Sequence, residues 1–206
     1  YGTNAMMVEV KNDNGIAGGI VYTSLMNLWE ESTVLIPDGP CSVKTIRIYF
    51  SGSTPARDTL WVCGFPTAGN LWPTEYIWSY NSLINPVVIN YSGTPGWMDI
   101  DVSTTGLRSD GIDKIVIQHR MKPVGPYFTF DSDGKSTAMS WYTDPFTPNP
   151  NFYNIAGTIH YNPPGDYMVR LLVEYDFPDG DRSDPPPQPK FTNMNTEMGI
   201  SAGSEI

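Results

Sequence analysis

Histidine, cysteine and basic residues are scarce in this sequence, and their scarcity limits what the protein can do. Its 206 residues include two histidines and two cysteines, and 12 Lys and Arg stand against 22 Asp and Glu, for a net charge of −10. Because phosphate recognition needs clustered cations, we expect no nucleic-acid partner. No Cys-x-x-Cys pair or His-Glu-x-x-His motif is present, so the common zinc sites have no counterpart here.

Catalytic motifs are scarce as well. The Gly-x-Ser-x-Gly pattern of a nucleophilic serine occurs once, at residues 199–203 in the polar tail, where it does not join a predicted strand to a predicted helix as a nucleophile elbow does. His119 follows Ile115 and Ile117 on one face of a predicted strand, so we interpret it as a structural histidine rather than a base. A pair of carboxylates that meet only in the fold is the enzymatic alternative, and it would make the protein a hydrolase. We expect a non-catalytic protein.

Long apolar runs and helical periodicity are absent too. No run approaches the roughly 20 apolar residues of a membrane-spanning helix, and no segment longer than a turn or two has convincing helical spacing. The chain begins at Tyr1 rather than at methionine, which is typical of a processed, secreted protein. We expect no membrane span, and a secreted, extracellular or cell-surface location.

Short alternating segments, separated by Gly, Pro, Asn and Asp, fill the first 177 positions. In Val169–Tyr175, apolar residues alternate with Arg170 and Glu174, and Trp97 and Asp99 share the face opposite Met98 in another such segment. This alternation is typical of antiparallel strands with one buried face. The sequence therefore predicts an all-β fold, an antiparallel β-sandwich of jelly-roll type, with a closed barrel as the alternative.

The composition changes after residue 177. Residues 178–190 are rich in Pro, Asp and Gly, and proline cannot donate to a strand ladder. We therefore expect one β-sandwich domain over 1–177, a semi-rigid linker over 178–190, and a polar tail or the start of a following region over 191–206.

The two cysteines allow a single intramolecular disulfide. Cys41 and Cys63 flank a turn signal between Ser51 and Pro55, and an antiparallel hairpin across that turn would place them opposite each other. We expect a Cys41–Cys63 disulfide, which suits an oxidising compartment. Two buried thiols are the alternative.

Short acidic loops are the best prospect for a metal. Asp131 and Asp133 precede Gly134, and a similar acidic stretch covers 179–184. Carboxylate oxygens in a tight bend are ligands that calcium accepts, although neither loop completes a helical-hand motif. The sequence predicts a structural calcium ion at Asp131 and Asp133, with solvated Asp turns as the alternative.

Large aromatic residues are concentrated in loop-like stretches. Trp72 and Tyr76 lie in one stretch and Trp141 and Tyr142 in another. Flat rings with polar neighbours can stack on a sugar and orient it through hydrogen bonds. Protein interfaces and sandwich cores are enriched in the same rings. These four residues are the predicted ligand-binding set.

Residues of the tail resemble a known repeat region. The segment from Pro189 to Ser201 resembles the opening of an FG-GAP-type propeller region, which often begins with Phe, a short polar stretch and a Gly-Ile-Ser turn. Segments 113–118 and 165–170 resemble the N-terminal sandwich modules of large secreted bacterial proteins. The resemblance implies a surface or secreted multidomain protein with a non-catalytic module here.

Two functions fit these features. The first is a structural building block of an extracellular assembly, either a filament or an adhesive surface protein, whose partners are copies of itself or a neighbouring surface protein. The alternative is a carbohydrate-binding module that holds polysaccharide with exposed aromatic rings and acidic loops.

Overall fold

Thirteen β-strands make up the described part of the chain in a computed structural model. The structure describes residues 7–21, 30–65, 82–111, 114–120, 122, 125–135, 137, 139–144, 159–161 and 163–176. The strands are β1 (Met7–Lys11), β2 (Ala17–Ile20), β3 (Glu30–Leu35), β4 (Pro40–Ser51), β5 (Ala56–Phe65), β6 (Val87–Tyr91), β7 (Gly96–Asp101), β8 (Arg108–Asp110), β9 (Lys114–Arg120), β10 (Tyr127–Asp131), β11 (Ser140–Asp144), β12 (Ile159–Tyr161) and β13 (Val169–Tyr175).

The strands form two antiparallel sheets, which confirms the all-β prediction. The first sheet has seven strands in the order β1-β13-β4-β10-β2, with β7 and β8 also paired to β4. The second has six strands in the order β12-β11-β3-β9-β5-β6. Within the described strands, neither sheet closes on itself. The described ranges contain no helix that is long and apolar enough to cross a membrane. The predicted linker and tail lie outside them.

One apolar core lies between the sheets. Alternate residues of β4, such as Ile46, Ile48 and Phe50, face the core from the first sheet, and Leu60 and Ile117 face it from the second. All five are fully buried. Each such side chain contributes about 1.5–3 kcal/mol relative to an exposed one. The alternation that predicted half-buried strands is therefore what fixes the inner face of each sheet.

The second sheet is buried on its outer face as well. Val34, Val116 and Trp141 pack there with Cys63, all at most 3% exposed. The uninterrupted apolar run of β9 follows from this arrangement, because a strand covered on both faces cannot alternate with polar residues.

The predicted Cys41–Cys63 disulfide is wrong, because the two cysteines lie in different sheets. Cys41 is on β4 of the first sheet and Cys63 is on β5 of the second, and both are buried thiols. The turn between β4 and β5 thus carries the chain across from one sheet to the other instead of closing a hairpin.

A β-bulge also reverses the predicted side-chain parity of β4. Leu172 of β13 is opposite Thr45, but the next residue, Val173, is opposite Val43, so Lys44 is the extra residue. Cys41 therefore faces the core between the sheets, while Cys63 packs in the outer cluster.

The first and last strands are neighbours. β1 pairs antiparallel with β13, so that Met7 lies opposite Glu174 and Lys11 opposite Arg170. The described fold therefore starts and finishes along one edge of the first sheet, at adjacent positions.

Candidate functional site

The outer face of the first sheet carries a row of charged side chains. The ladders place Lys11 opposite Arg170, Arg170 opposite Arg47, and Arg47 opposite Asp99. Directly opposed residues share a face and lie close together. The row therefore sets two guanidinium groups side by side, an arrangement that needs carboxylates to offset the repulsion.

Three carboxylates hold the two arginines. Glu9 bridges them, accepting from Arg47 Nη1 through Oε1 at 2.9 Å and from Arg170 Nη1 through Oε2 at 3.0 Å. Asp99 accepts from Arg47 Nε at 2.7 Å and Nη2 at 2.9 Å. Asp13 accepts from Arg170 Nε at 3.1 Å and Nη2 at 2.6 Å. Bidentate pairs of this kind fix the plane of each guanidinium.

The pKa values of these groups follow from the pairing. The hydrogen bonds that Arg47 donates to Asp99 raise the pKa of Arg47. The same hydrogen bonds lower the pKa of Asp99. Burial acts to lower the pKa of Arg170, but the hydrogen bonds and charges of Asp13 and Glu9 outweigh it and the pKa is raised. The pairing therefore favours the charged forms of Arg47, Arg170 and Asp99.

Trp97 of β7 lies across this network. The Cζ atom of Arg170 is 4.3 Å from the centre of the Trp97 ring, although β4 separates β13 from β7. Since neighbouring strands are about 4.8 Å apart, the indole must extend over β4 to reach that guanidinium. Tyr49, opposite Trp97, meets it at 5.4 Å and 83°. Trp97 is 39% exposed, so the side of the ring away from Arg170 faces solvent.

A second polar cluster lies inside the core. Glu31 of β3 is opposite His119 of β9, with Oε2 at 3.2 Å from Nδ1. His119 Nε2 lies 3.3 Å from Asp58 Oδ2, close enough for an ion pair but without hydrogen-bond geometry. The backbone N–H of Phe128 donates to Glu31 Oε2 at 2.8 Å, and Lys122 Nζ is 3.0 Å from Asp58 Oδ1.

Burial and charge oppose each other in this cluster. Burial raises the pKa of Glu31 more than His119 lowers it. The pKa of His119 is raised, because the two carboxylates outweigh the burial that acts against its charged form. Burial acts to raise the pKa of Asp58, but His119 and Lys122 outweigh it and the pKa is lowered.

The core cluster has the residue types of an acid–base site but not the access. The side chains of Glu31 and His119 are 0% exposed and that of Asp58 is 3% exposed. The imidazole stacks on Phe128 with ring centres 5.3 Å apart and also contacts Phe50. Because these side chains are buried against one another, the arrangement acts on stability.

Trp141 and Tyr142, the two described residues of the predicted ligand-binding set, do not share a surface. Trp141 is 1% exposed on the outer face of the second sheet, whereas Tyr142, next along β11, packs half-buried against the core. Their rings point to opposite faces and Trp141 offers none to solvent. Trp72 and Tyr76 lie outside the described residues.

The predicted calcium residues lie at the end of β10 and just beyond it, and their carboxylates already accept hydrogen bonds from the backbone. Asp131 is 2% exposed, and its oxygens accept from the backbone N–H groups of Asn14 at 2.8 Å and Asp166 at 3.1 Å. Asp133 is exposed and accepts from the N–H of Lys135 at 2.8 Å. In the described ranges, no three His, Cys, Asp or Glu residues are grouped to hold a metal.

Asp166 is the most perturbed acid of this loop region. It is 1% exposed and accepts from the Thr137 N–H at 3.1 Å and from Thr137 Oγ1 at 2.9 Å. Burial, and then the charges of Asp131 and Asp133, raise its pKa to about 7. The packing is close enough that a Cβ at Gly165 would lie 2.3 Å from Asp131 Oδ1.

Sequence reasoning placed Trp97 on the polar face of its strand but did not identify it as a site residue. The signal was present, since Trp97 shares that face with Asp99 and Asp101, both exposed. A large aromatic ring on an otherwise charged face is unusual for a strand whose other face forms the core. The contact of Trp97 with Arg170 on β13 was not identifiable from local pattern.

No protein-family model, curated protein or solved structure matches this chain. The functional argument therefore starts from the geometry of the outer face.

Proposed function

We propose that the chain is a non-catalytic extracellular module, a β-sandwich of jelly-roll type, that binds polysaccharide on the outer face of its first sheet. The observation that supports this best is the indole of Trp97, 39% exposed and held across the sheet above a paired arginine. Pyranose rings present C–H groups on their flat sides, and these pack on an exposed aromatic ring in a way that ions and nucleotides do not need.

The groups around Trp97 supply the second half of a sugar site. Asp99 and Asp101 are exposed on the same face of β7 as the ring, and their carboxylates can accept hydrogen bonds from hydroxyl groups. The bidentate pair with Arg47 keeps Asp99 in place before any ligand arrives. Because side chains that are already ordered lose little entropy on binding, this preorganisation favours affinity.

The adjacency of β1 and β13 favours display over load-bearing. If tension acted on the ends of two paired antiparallel strands at Met7 and Glu174, the ladder would open one pair at a time instead of shearing as a whole. This strand arrangement suits a ligand-binding module better than a domain in a load-bearing tandem array.

Replacing Trp97 with alanine tests the proposal. We expect an affinity loss of about tenfold, equivalent to about 1.4 kcal/mol, because the stacking surface is removed while the core is untouched. Affinity electrophoresis of the whole chain in gels containing soluble polysaccharides measures this. Trp97→Phe should retain part of the affinity.

Val88→Ala is the matched control, since Val88 is an exposed apolar residue of β6 in the other sheet. Its mobility should equal that of the wild type. If the wild type is not retarded by any polysaccharide, or if Trp97→Ala is retarded as strongly as the wild type, binding on this face is refuted.

The second candidate is the structural building block, and exposed apolar residues on end strands favour it. Met7 of β1 is 43% exposed and Val88 of β6 is 48% exposed, and within the described strands β1 and β6 each end a sheet. Strands in such positions can pair with a strand of another copy or of a neighbouring surface protein.

Light scattering of the purified chain distinguishes this candidate. Assembly predicts filaments or a defined oligomer, and Val88→Lys should shift the protein toward monomer, because a charge on an end strand opposes pairing.

Repeating the light-scattering measurement with a chelator tests the structural calcium proposed at Asp131 and Asp133. A monomer at high concentration, with and without chelator, would contradict self-assembly.

A further inference from the structure

We infer that the ligand of the Trp97 face is an uncharged polysaccharide with free hydroxyl groups, and that acidic polysaccharides are rejected there. This inference rests on the proposed function and names the ligand class of the same site. It follows from two features of the described residues of this face. The carboxylates that share the outer face of β7 with Trp97 are more exposed than Arg47 and Arg170, and both arginines are already paired with carboxylates.

The cations near Trp97 are already engaged. Arg47 and Arg170 are held by three carboxylates, those of Glu9, Asp13 and Asp99, which leaves the five-residue network with one net negative charge. A uronate or sulfate group would have to displace an internal carboxylate to gain a bidentate partner, and no new ion pair would result.

The most exposed group of these ion pairs is acidic. The Asp99 side chain is 53% exposed, whereas that of Arg47 is 30% exposed and that of Arg170 is 11% exposed. Asp101, exposed on the same face, has a lowered pKa because Ser103 hydrogen-bonds its carboxylate. A ligand that stacks on Trp97 therefore meets acceptors, which match hydroxyl donors and repel anions.

The other cations that the structure describes on this face, Lys11, Lys44 and Arg108, are distant from the ring. Lys44 pairs with Glu174 at 2.9 Å, on the far side of the charged row from Trp97. Lys11 is on β1, which is separated from β7 by both β13 and β4. Arg108 pairs with Asp176 and lies opposite Ser42, at the other end of β4 from the residue opposite Trp97. None of the three stands where a polymer stacked on Trp97 would place its first charged group, and the overall charge of −10 opposes polyanions further.

Salt dependence separates the two ligand classes as well. Binding of an uncharged polymer through stacking and hydrogen bonds changes little with ionic strength, whereas binding of a polyanion to arginines weakens steeply. We expect the dissociation constant to change by less than about twofold between 0.05 and 0.5 M NaCl.

Affinity electrophoresis of the whole chain tests the inference with neutral glucan, xylan and mannan gels beside alginate, polygalacturonate and heparin gels. We expect retardation by at least one neutral polymer and by no acidic one. Retardation by an acidic polymer, with no neutral one as strong, would overturn the inference and leave the proposed function standing. Retardation by neither class would overturn the proposed function and the inference with it.

Asp99→Asn provides a positive test on the protein. It frees the Nε and Nη2 donors of Arg47, which Asp99 otherwise occupies. Affinity for acidic polymers should therefore appear, or rise at least threefold, at low salt. Glu174→Gln is the matched control, because it changes the net charge equally but releases Lys44 away from the ring. Equal gains in the two variants would mean that overall charge alone excludes acidic polymers, which would overturn the assignment to this face.

Discussion

Replacing His119 with leucine is expected to lower the free energy of unfolding by about 3–5 kcal/mol at pH 7. The imidazole is 0% exposed and stands between Glu31, at 3.2 Å, and Asp58, at 3.3 Å. Without it, Glu31 is left as a buried carboxylate with no cation beside it. Urea unfolding of wild type and variant measures the difference, which should shrink toward pH 4 as protonation removes the uncompensated charge.

A double variant separates charge from packing in this cluster. Glu31→Gln combined with His119→Leu removes both buried charges, while the amide oxygen can still accept from the Phe128 N–H. We expect the double variant to be more stable than His119→Leu alone, and to show no recovery at low pH. A double variant at least as damaged as the single one would assign the loss to packing on Phe128 and Phe50 rather than to charge.

Wild-type stability should also decline above neutral pH because of His119. Its pKa is raised in the folded state, so its contribution is complete below the unfolded value of about 6.5 and is lost as pH rises through the folded value. Asp58 acts in the opposite direction, since its lowered pKa gives a contribution that is present above about 3.9 and lost as pH falls.

Wild-type stability is expected to fall by as much as about 4 kcal/mol between pH 4 and pH 7, and Asp166→Asn should abolish most of that fall. The folded-state pKa of Asp166 is about 7 against an ordinary 3.8, so the folded protein binds a proton there that the unfolded chain does not. The stability contributed by Asp166 therefore decreases as pH rises across this interval, at about 1.4 kcal/mol per pKa unit, and is lost above the folded-state pKa. Urea unfolding at five pH values from 4 to 8 measures the slope.

Asp133→Asn is the control for Asp166, because Asp133 is exposed and only adds to the charge that Asp166 experiences. This variant should keep most of the slope between pH 4 and pH 7. If Asp166→Asn keeps the full wild-type slope, the burial of Asp166 beside Asp131 and Thr137 does not control acid dependence, and His119 must be examined in its place.

Local alternation predicted the strands well because burial of one face is a local constraint. The Val169–Tyr175 strand begins and ends where its pattern does, and the charged neighbours Arg170 and Glu174 point outward as expected. The three consecutive apolar residues of β9, Ile115, Val116 and Ile117, are all buried because the sheet is covered on both faces.

Pairing between distant strands was beyond local pattern. The turn signal between Ser51 and Pro55 is real, but nothing in it states whether the next strand stays in the same sheet. The bulge at Lys44 then moves Cys41 onto the core face, a change of parity that no residue type announces. These two features together made the disulfide prediction wrong.

The candidate site was predicted only in its residue types. Aromatic rings beside carboxylates were expected, but in loops around Trp72 and Trp141. Trp141 is instead buried, and Trp97 is the tryptophan exposed among the described residues. Glu9, Arg47 and Arg170 belong to three strands far apart in sequence, so their convergence under Trp97 depends on sheet order, which only the fold supplies.

The division of β7 into two faces has an evolutionary consequence. Met98 and Ile100 pack inward, while Trp97, Asp99 and Asp101 stand on the outside and touch no part of the core between the sheets. Selection can therefore exchange the outward residues without disturbing the core, so that, under the proposed function, one scaffold can diverge toward different glycans while its interior changes slowly. Under the same proposal, related chains that keep the inward pattern and vary at 97, 99 and 101 would differ in ligand choice rather than in architecture.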